Sequence, residues 1–132
     1  MAYNVPDVGE NKIVEMAVNK TAPENWVLRL FENNITPSDT DVAGTYTEAN
    51  FPGYAAITLV GATWGAAAGG TTTYGAQQTF TCSGVATDDI YGYYCTQLTS
   101  GVLMLSERDA SAPFAVRNSG DQVKVTPSLS GN

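Results

Sequence analysis

From Trp26 onward, apolar and polar positions alternate with a period of two over most of the chain. In the run Trp26 to Phe31, residues Trp26, Leu28 and Leu30 fall on one face and Val27, Arg29 and Phe31 on the other, which is the pattern of a β-strand. Asn33 to Asp39 is turn material. Thr45–Glu48 reads as a short strand, Phe51-Pro52-Gly53 as a bend, and Tyr54–Val60 as a strong strand. Residues 61–73 are rich in Gly, Ala and Thr, interrupted by Trp64, and read as a strand end followed by a flexible loop. Tyr74–Cys82 gives another strand. Ile90–Gln97 and Val102–Arg108 flank Leu98-Thr99-Ser100-Gly101 as an antiparallel hairpin, and Gly92 within it marks a bulge or a close backbone approach. Ala115–Arg117 and Gln122–Thr126 flank Asn118-Ser119-Gly120-Asp121 as a second hairpin or a corner, and Pro127 with the Ser/Gly tail ends the fold.

The head of the chain is different. Residues 1–9 are polar, contain Pro6 and Gly9, show no period, and read as an extended N-terminal arm. Between Glu10 and Lys20, Ile13, Met16 and Ala17 follow helical spacing, with acids early and Lys20 late, as the helix dipole favours. This predicts a short amphipathic helix over residues 10–20. About eight short strands separated by turns predict a mainly β domain spanning residues 10–132, a sandwich or a barrel and not a parallel sheet; an antiparallel β-sandwich of jelly-roll type with one short N-terminal helix is the architecture expected.

Composition narrows the chemistry. The 132 residues carry six basic and thirteen acidic side chains, a net charge of −7, and no histidine. A Lys/Arg footprint for phosphates is missing, so nucleic acid is not the expected partner. Histidine triads and most zinc sites are excluded with the histidines. Apolar runs reach only four residues, at Tyr54–Ile57 and Val102–Leu105, against the roughly 20 of a spanning helix, so no membrane partner is expected. The opening residues Met1–Asp7 lack the basic and apolar parts of a secretory signal, and synthesis in the cytoplasm is expected. Cys82 and Cys95 allow one bridge, but a reducing compartment favours two free thiols packed as small hydrophobes.

The remaining polar groups give no catalytic constellation. Asp39, Asp41, Glu48 and the Asp88-Asp89 pair are oxygen ligands in kind, yet they lack EF-hand spacing and read as turn-capping groups. Glu107 and Asp109 flank Arg108, share a strand face and screen a basic neighbour. A hydroxyl nucleophile needs an activating base, and only Lys12, Lys20 and Lys124 remain, none in a motif. Gly69-Gly70 is too isolated for a phosphate loop. No cofactor is expected. The tyrosines and Trp26 read as core packing. Trp64, beside an Ala/Gly loop with little apolar support, is the aromatic residue expected to face a partner.

Five stretches together resemble small virion structural proteins of tailed bacteriophages. They are residues 23–37 (PENWVLRLFENNITP), 51–56 (FPGYAA), 90–94 (IYGYY), 103–108 (LMLSER) and 120–127 (GDQVKVTP). The resemblance covers residues 13–127 and is weakest over 61–89. It implies a capsid decoration or cement protein located on the virion, bound to the major capsid protein, of a kind that has a β-sandwich body and forms homotrimers at local three-fold positions. It brings no catalytic motif, so no active-site residue is carried over.

In that role the N-terminal arm would lie across a neighbouring subunit and bury Tyr3, Val5 and Pro6 there, with Trp64 as a further contact. A receptor- or glycan-binding head-fibre or tail component is the alternative. It requires exposed aromatic side chains in loops 61–73 or 84–90. A small hydrolase would require convergent carboxylates in a pocket.

Overall fold

The computed structural model describes residues 3–130. Among these described residues one α-helix, α1 (Asp7–Ala17), precedes ten strands: β1 (Trp26–Phe31), β2 (Ile57–Leu59), β3 (Thr71–Thr73), β4 (Gln78–Thr81), β5 (Asp88–Ile90), β6 (Gly92–Gln97), β7 (Leu103–Arg108), β8 (Phe114–Val116), β9 (Gln122–Val125) and β10 (Ser128–Ser130). The chain is mainly β, and every strand pairing is antiparallel. A four-stranded sheet has the order β2-β1-β6-β7, and three two-stranded ribbons pair β10 with β3, β4 with β9, and β5 with β8. The sheets do not close on themselves. Among the described residues no helix is long and apolar enough to cross a membrane.

The period-two pattern of β1 sorts its residues between two cores. Trp26, Leu28 and Leu30 join Leu59, Tyr93, Cys95 and Leu105 on one face, where the ribbons contribute Tyr74, Phe80, Cys82, Val116 and Val125. Phe31 meets Tyr46, Tyr94 and Leu103 in a smaller cluster on the other face. A register shift between Cys95 and Thr96 inserts Met104 into β7. The extra residue lets Leu103 face the small cluster while Met104 and Leu105 both enter the large one.

The predicted β6–β7 hairpin is present, and it continues past an interruption. Tyr93 pairs with Glu107, Gly92 with Arg108, and the Asp109 N–H reaches the Tyr91 carbonyl at 2.9 Å. Ile90 then pairs with Phe114, so β5 and β8 extend the same two strands after a loop over residues 110–113. The segment read as one strand over Ile90–Gln97 is thus two, broken at Tyr91.

Several expectations are corrected. The helix occupies Asp7–Ala17 rather than residues 10–20, so the extended segment ahead of it is shorter than residues 1–9. Its start follows Pro6, whose extended backbone stands at the N-cap, and Asp7 and Glu10 lie in the first turn, where the dipole favours acids. Its end is set by Asn19, which adopts a left-handed φ of 61°. The Asn19 N–H bonds to Met16 O and the Lys20 N–H to Glu15 O, a Schellman cap that stops the helix before Lys20. The flexible loop over 61–73 is ordered: Trp64 bridges Tyr74, and Ala68 exchanges two backbone bonds with Thr71. Gly69 and Gly70 both have positive φ at its tip, as a type I′ turn requires. The strand expected at Thr45–Glu48 is a 3-10 turn at Ala43–Thr45 plus a single bridge from Glu48 to Phe31. Residues Ala115–Arg117 and Gln122–Thr126 meet at a corner, since β8 pairs with β5 and β9 with β4. The tail after Pro127 does not end the fold; it forms β10 on β3.

Candidate functional site

A cleft of about 490 Å3 lies between β9 and the outer part of the β6–β7 hairpin. Leu30, Ile90 and Tyr93 supply its floor from the large core, and Phe114, 43% exposed, stands on the opposite rim. The other wall is one unbroken run, Gln122 to Thr126. Its size falls in the range of ligand clefts.

The polar groups of the cleft are few and partly engaged. The Tyr93 hydroxyl donates to Glu107 Oε1 at 2.8 Å. Burial first, and then this bond to a carboxylate, push the Tyr93 phenol well above the ordinary tyrosine range. Asp109 Oδ1 accepts from both the backbone N–H and the hydroxyl of Ser111, each at 2.8 Å. Lys124 lines the cleft and is exposed. Glu107 and Asp109 therefore share one face, as the i, i+2 spacing requires. Glu107 is held by a phenol, which leaves Arg108 free to reach the Ile35 carbonyl and lie over the Tyr91 ring.

Of the other acids read as turn caps, Asp41, Glu48 and Asp89 have structural partners. Asp41 Oδ2 accepts from the Ser38 N–H at 2.9 Å and from the Tyr46 hydroxyl at 2.7 Å. Glu48 pairs with Arg29 at 2.9 Å and accepts from the Tyr54 hydroxyl at 2.7 Å. Asp89 pairs with Arg117 at 2.7 Å. Both cysteines are buried free thiols. Cys95 lies wholly inside the large core, and burial pushes its thiol far above the usual range.

The four predicted contact residues are scattered relative to this cleft. Tyr3 and Val5 are half-buried against the large core, and Pro6 is fully buried. Asn4 between them exchanges backbone bonds with Ser106 at 2.6 and 2.9 Å, so this segment lies along β7 of its own chain. Trp64 sits edge-on to Trp26 and Tyr74, with ring centroids 5.6 and 5.2 Å away. It borders a smaller apolar notch of about 240 Å3 with Met16, Leu59 and Leu129. The sequence shows the apolar alternation of Gln122–Thr126 but not the open space beside it, because that depends on which strand β9 chooses as neighbour.

No protein-family model matches the chain, and no curated relative matches it.

Proposed function

We propose that the chain is a non-enzymatic virion structural protein of a tailed phage. It acts as a capsid decoration or cement protein that binds the major capsid protein and stabilises the head. The observation that carries this reading is the cleft: an apolar floor beside a bare strand, with carboxylates bonded to a phenol and a turn. That is a surface for gripping another polypeptide. The resemblance over residues 13–127 supplies the phage context. On this reading the four-stranded sheet and the three ribbons are the two layers of an antiparallel sandwich of jelly-roll type, assembled as a homotrimer on the capsid surface. A shell offers many equivalent positions, so modest contacts per copy add to a firm attachment. The net charge of −7 keeps free copies apart before assembly.

The alternative, a receptor- or glycan-binding head-fibre or tail component, stacks sugars on exposed rings. Trp64, the aromatic residue of loop 61–73, has its ring packed on Trp26 and Tyr74. The deciding experiment mixes the purified protein with emptied capsids of the phage that encodes it and pellets them over a range of salt. Co-pelleting at a fixed ratio to the major capsid protein is expected. Absence of co-pelleting at every salt concentration, with binding on a glycan array, would overturn the reading in favour of the alternative.

A further inference from the structure

We propose that the cleft is a strand-addition site, in which the outer edge of β9 takes up an extended segment of a partner protein bearing a lysine or arginine. The inference deepens the adhesion reading and rests on its cleft. Five consecutive residues, Gln122 to Thr126, line the cavity, whereas successive side chains of a strand point to opposite faces. The cavity therefore runs along the edge of β9, and β4 occupies the other edge.

The phase of the ladder identifies the groups on offer. The Cys82 N–H donates to Asp121 O at 2.8 Å and the Cys82 carbonyl accepts from the Gly120 N–H at 2.7 Å, which puts Cys82 in the bonding phase of the ladder. Bonded and non-bonded pairs alternate, so Phe80–Val123 and Gln78–Val125 are bonded and Thr79–Lys124 is not. The backbone N–H and C=O of Gln122 and Lys124 consequently point away from β4, towards the cleft. Among the described residues no other element supplies them with a backbone bond. An unpaired edge of this kind is a template for another strand.

Charge and apolarity specify the occupant. Glu107 and Asp109 each use one carboxylate oxygen on Tyr93 and Ser111, and among the described residues the second oxygen of each has no hydrogen-bond partner. A basic side chain in the added strand satisfies both. Its neighbours two residues away fall on the same face and meet Leu30, Ile90, Val125 and Phe114. A second copy of this chain fits less well, because it would bring a whole ribbon to an edge that faces a wall.

The probes are two blocked heptapeptides, acetyl-Thr-Val-Thr-Arg-Thr-Val-Thr-amide and its counterpart with Glu for Arg, titrated into the full chain and followed by amide NMR at low salt. The Arg peptide is expected to shift and protect the Gln122 and Lys124 amides and to bind at least tenfold more tightly than the Glu peptide. Lys124→Pro removes the N–H facing the cleft and spares the ladder to β4. It should bind at least tenfold more weakly than Lys124→Ala, which removes the side chain alone. Glu107→Gln combined with Asp109→Asn should erase the preference for Arg and serves if the proline variant does not fold. No binding, shifts confined to other surfaces, or a preference that survives the double variant would overturn the proposal. Self-association of the free protein that Lys124→Pro abolishes would also overturn it, by assigning the edge to a second copy. Capsid co-pelleting uses neither peptide, so failure of strand addition and failure of the capsid reading are told apart.

Discussion

The ring of Phe31 fills the space where a side chain on Gly92 would stand. A Cβ built on Gly92 would lie 2.8 Å from both Cε1 and Cζ of Phe31 and would also strike the Glu107 carbonyl oxygen. Phe31 is fully buried and packs against Tyr46 with centroids 4.8 Å apart, so it has nowhere to retreat. Overpacking a tight core costs about 1–3 kcal/mol. Gly92→Ala is expected at or above the top of that range, because one of the two obstacles is backbone. A drop in the urea midpoint without a change in slope would show it; a midpoint equal to that of the parent would refute it.

A second expectation concerns the Tyr46 hydroxyl, which donates to Asp41 Oδ2 at 2.7 Å and lies 2.8 Å from Ser106 Oγ. All three residues are buried, and the contact ties the 3-10 segment to β7. Tyr46→Phe keeps the ring stacked on Tyr94 but leaves a carboxylate oxygen and a hydroxyl short of a partner. A loss of about 1–3 kcal/mol follows from unmade buried bonds. Restoring stability by the added change Asp41→Ala is not expected, since the Ser38 N–H still needs its acceptor.

Local rules recovered the parts of this fold that local residues decide. Alternation along Trp26–Phe31 told which side chains enter which core. The Leu98–Gly101 turn marked the β6–β7 hairpin, and Gly92 signalled a close approach. Where pairing partners are distant in sequence, the pattern was silent. Nothing in Gln122–Val125 says that it joins Gln78–Thr81 instead of Phe114–Val116, and the cleft exists only because of that choice. The helix end is legible in Asn19, a residue type that tolerates the left-handed φ of a cap, one position ahead of Lys20 at the end that the dipole favours. The order in 61–73 was equally present in Gly69-Gly70, which are hairpin glycines.

Stability should fall at alkaline pH, and the phenols set the sign. Tyr94 is pushed up to about 12, first by burial and then by the nearby Glu48 carboxylate, with Arg29 acting in the opposite direction. Burial also raises Tyr46, Tyr54 and Tyr93. Unfolded phenols ionise near their ordinary value of about 10. Between there and the folded values the native state holds more protons than the unfolded one, so stability is full below pH 10 and declines as pH rises. Urea midpoints at pH 9 and pH 11 would display the decline, and Tyr94→Phe should make it shallower. A midpoint that rises over that interval would contradict the assignment.

Gly9 reverses the usual rule for glycine in a helix. Replacing an interior helical glycine by alanine ordinarily gains about 1 kcal/mol. Here a Cβ on Gly9 would meet the carbonyl oxygens of Leu103 and Met104, each at 2.8 Å. Those atoms belong to β7, which cannot move without breaking its ladder to β6. Overpacking of about 1–3 kcal/mol therefore outweighs the propensity gain, and Gly9→Ala is expected to lower the melting temperature. The same contact bears on attachment. With Pro6 buried, Asn4 bonded to Ser106 and Gly9 seated on β7, the N-terminal segment is part of the body it was expected to reach out from. Removing residues 1–9 should lower the urea midpoint of the isolated protein, whatever it does to capsid binding. A truncated chain as stable as the full one would show that this segment contributes nothing to the fold and would return it to the role of a free arm.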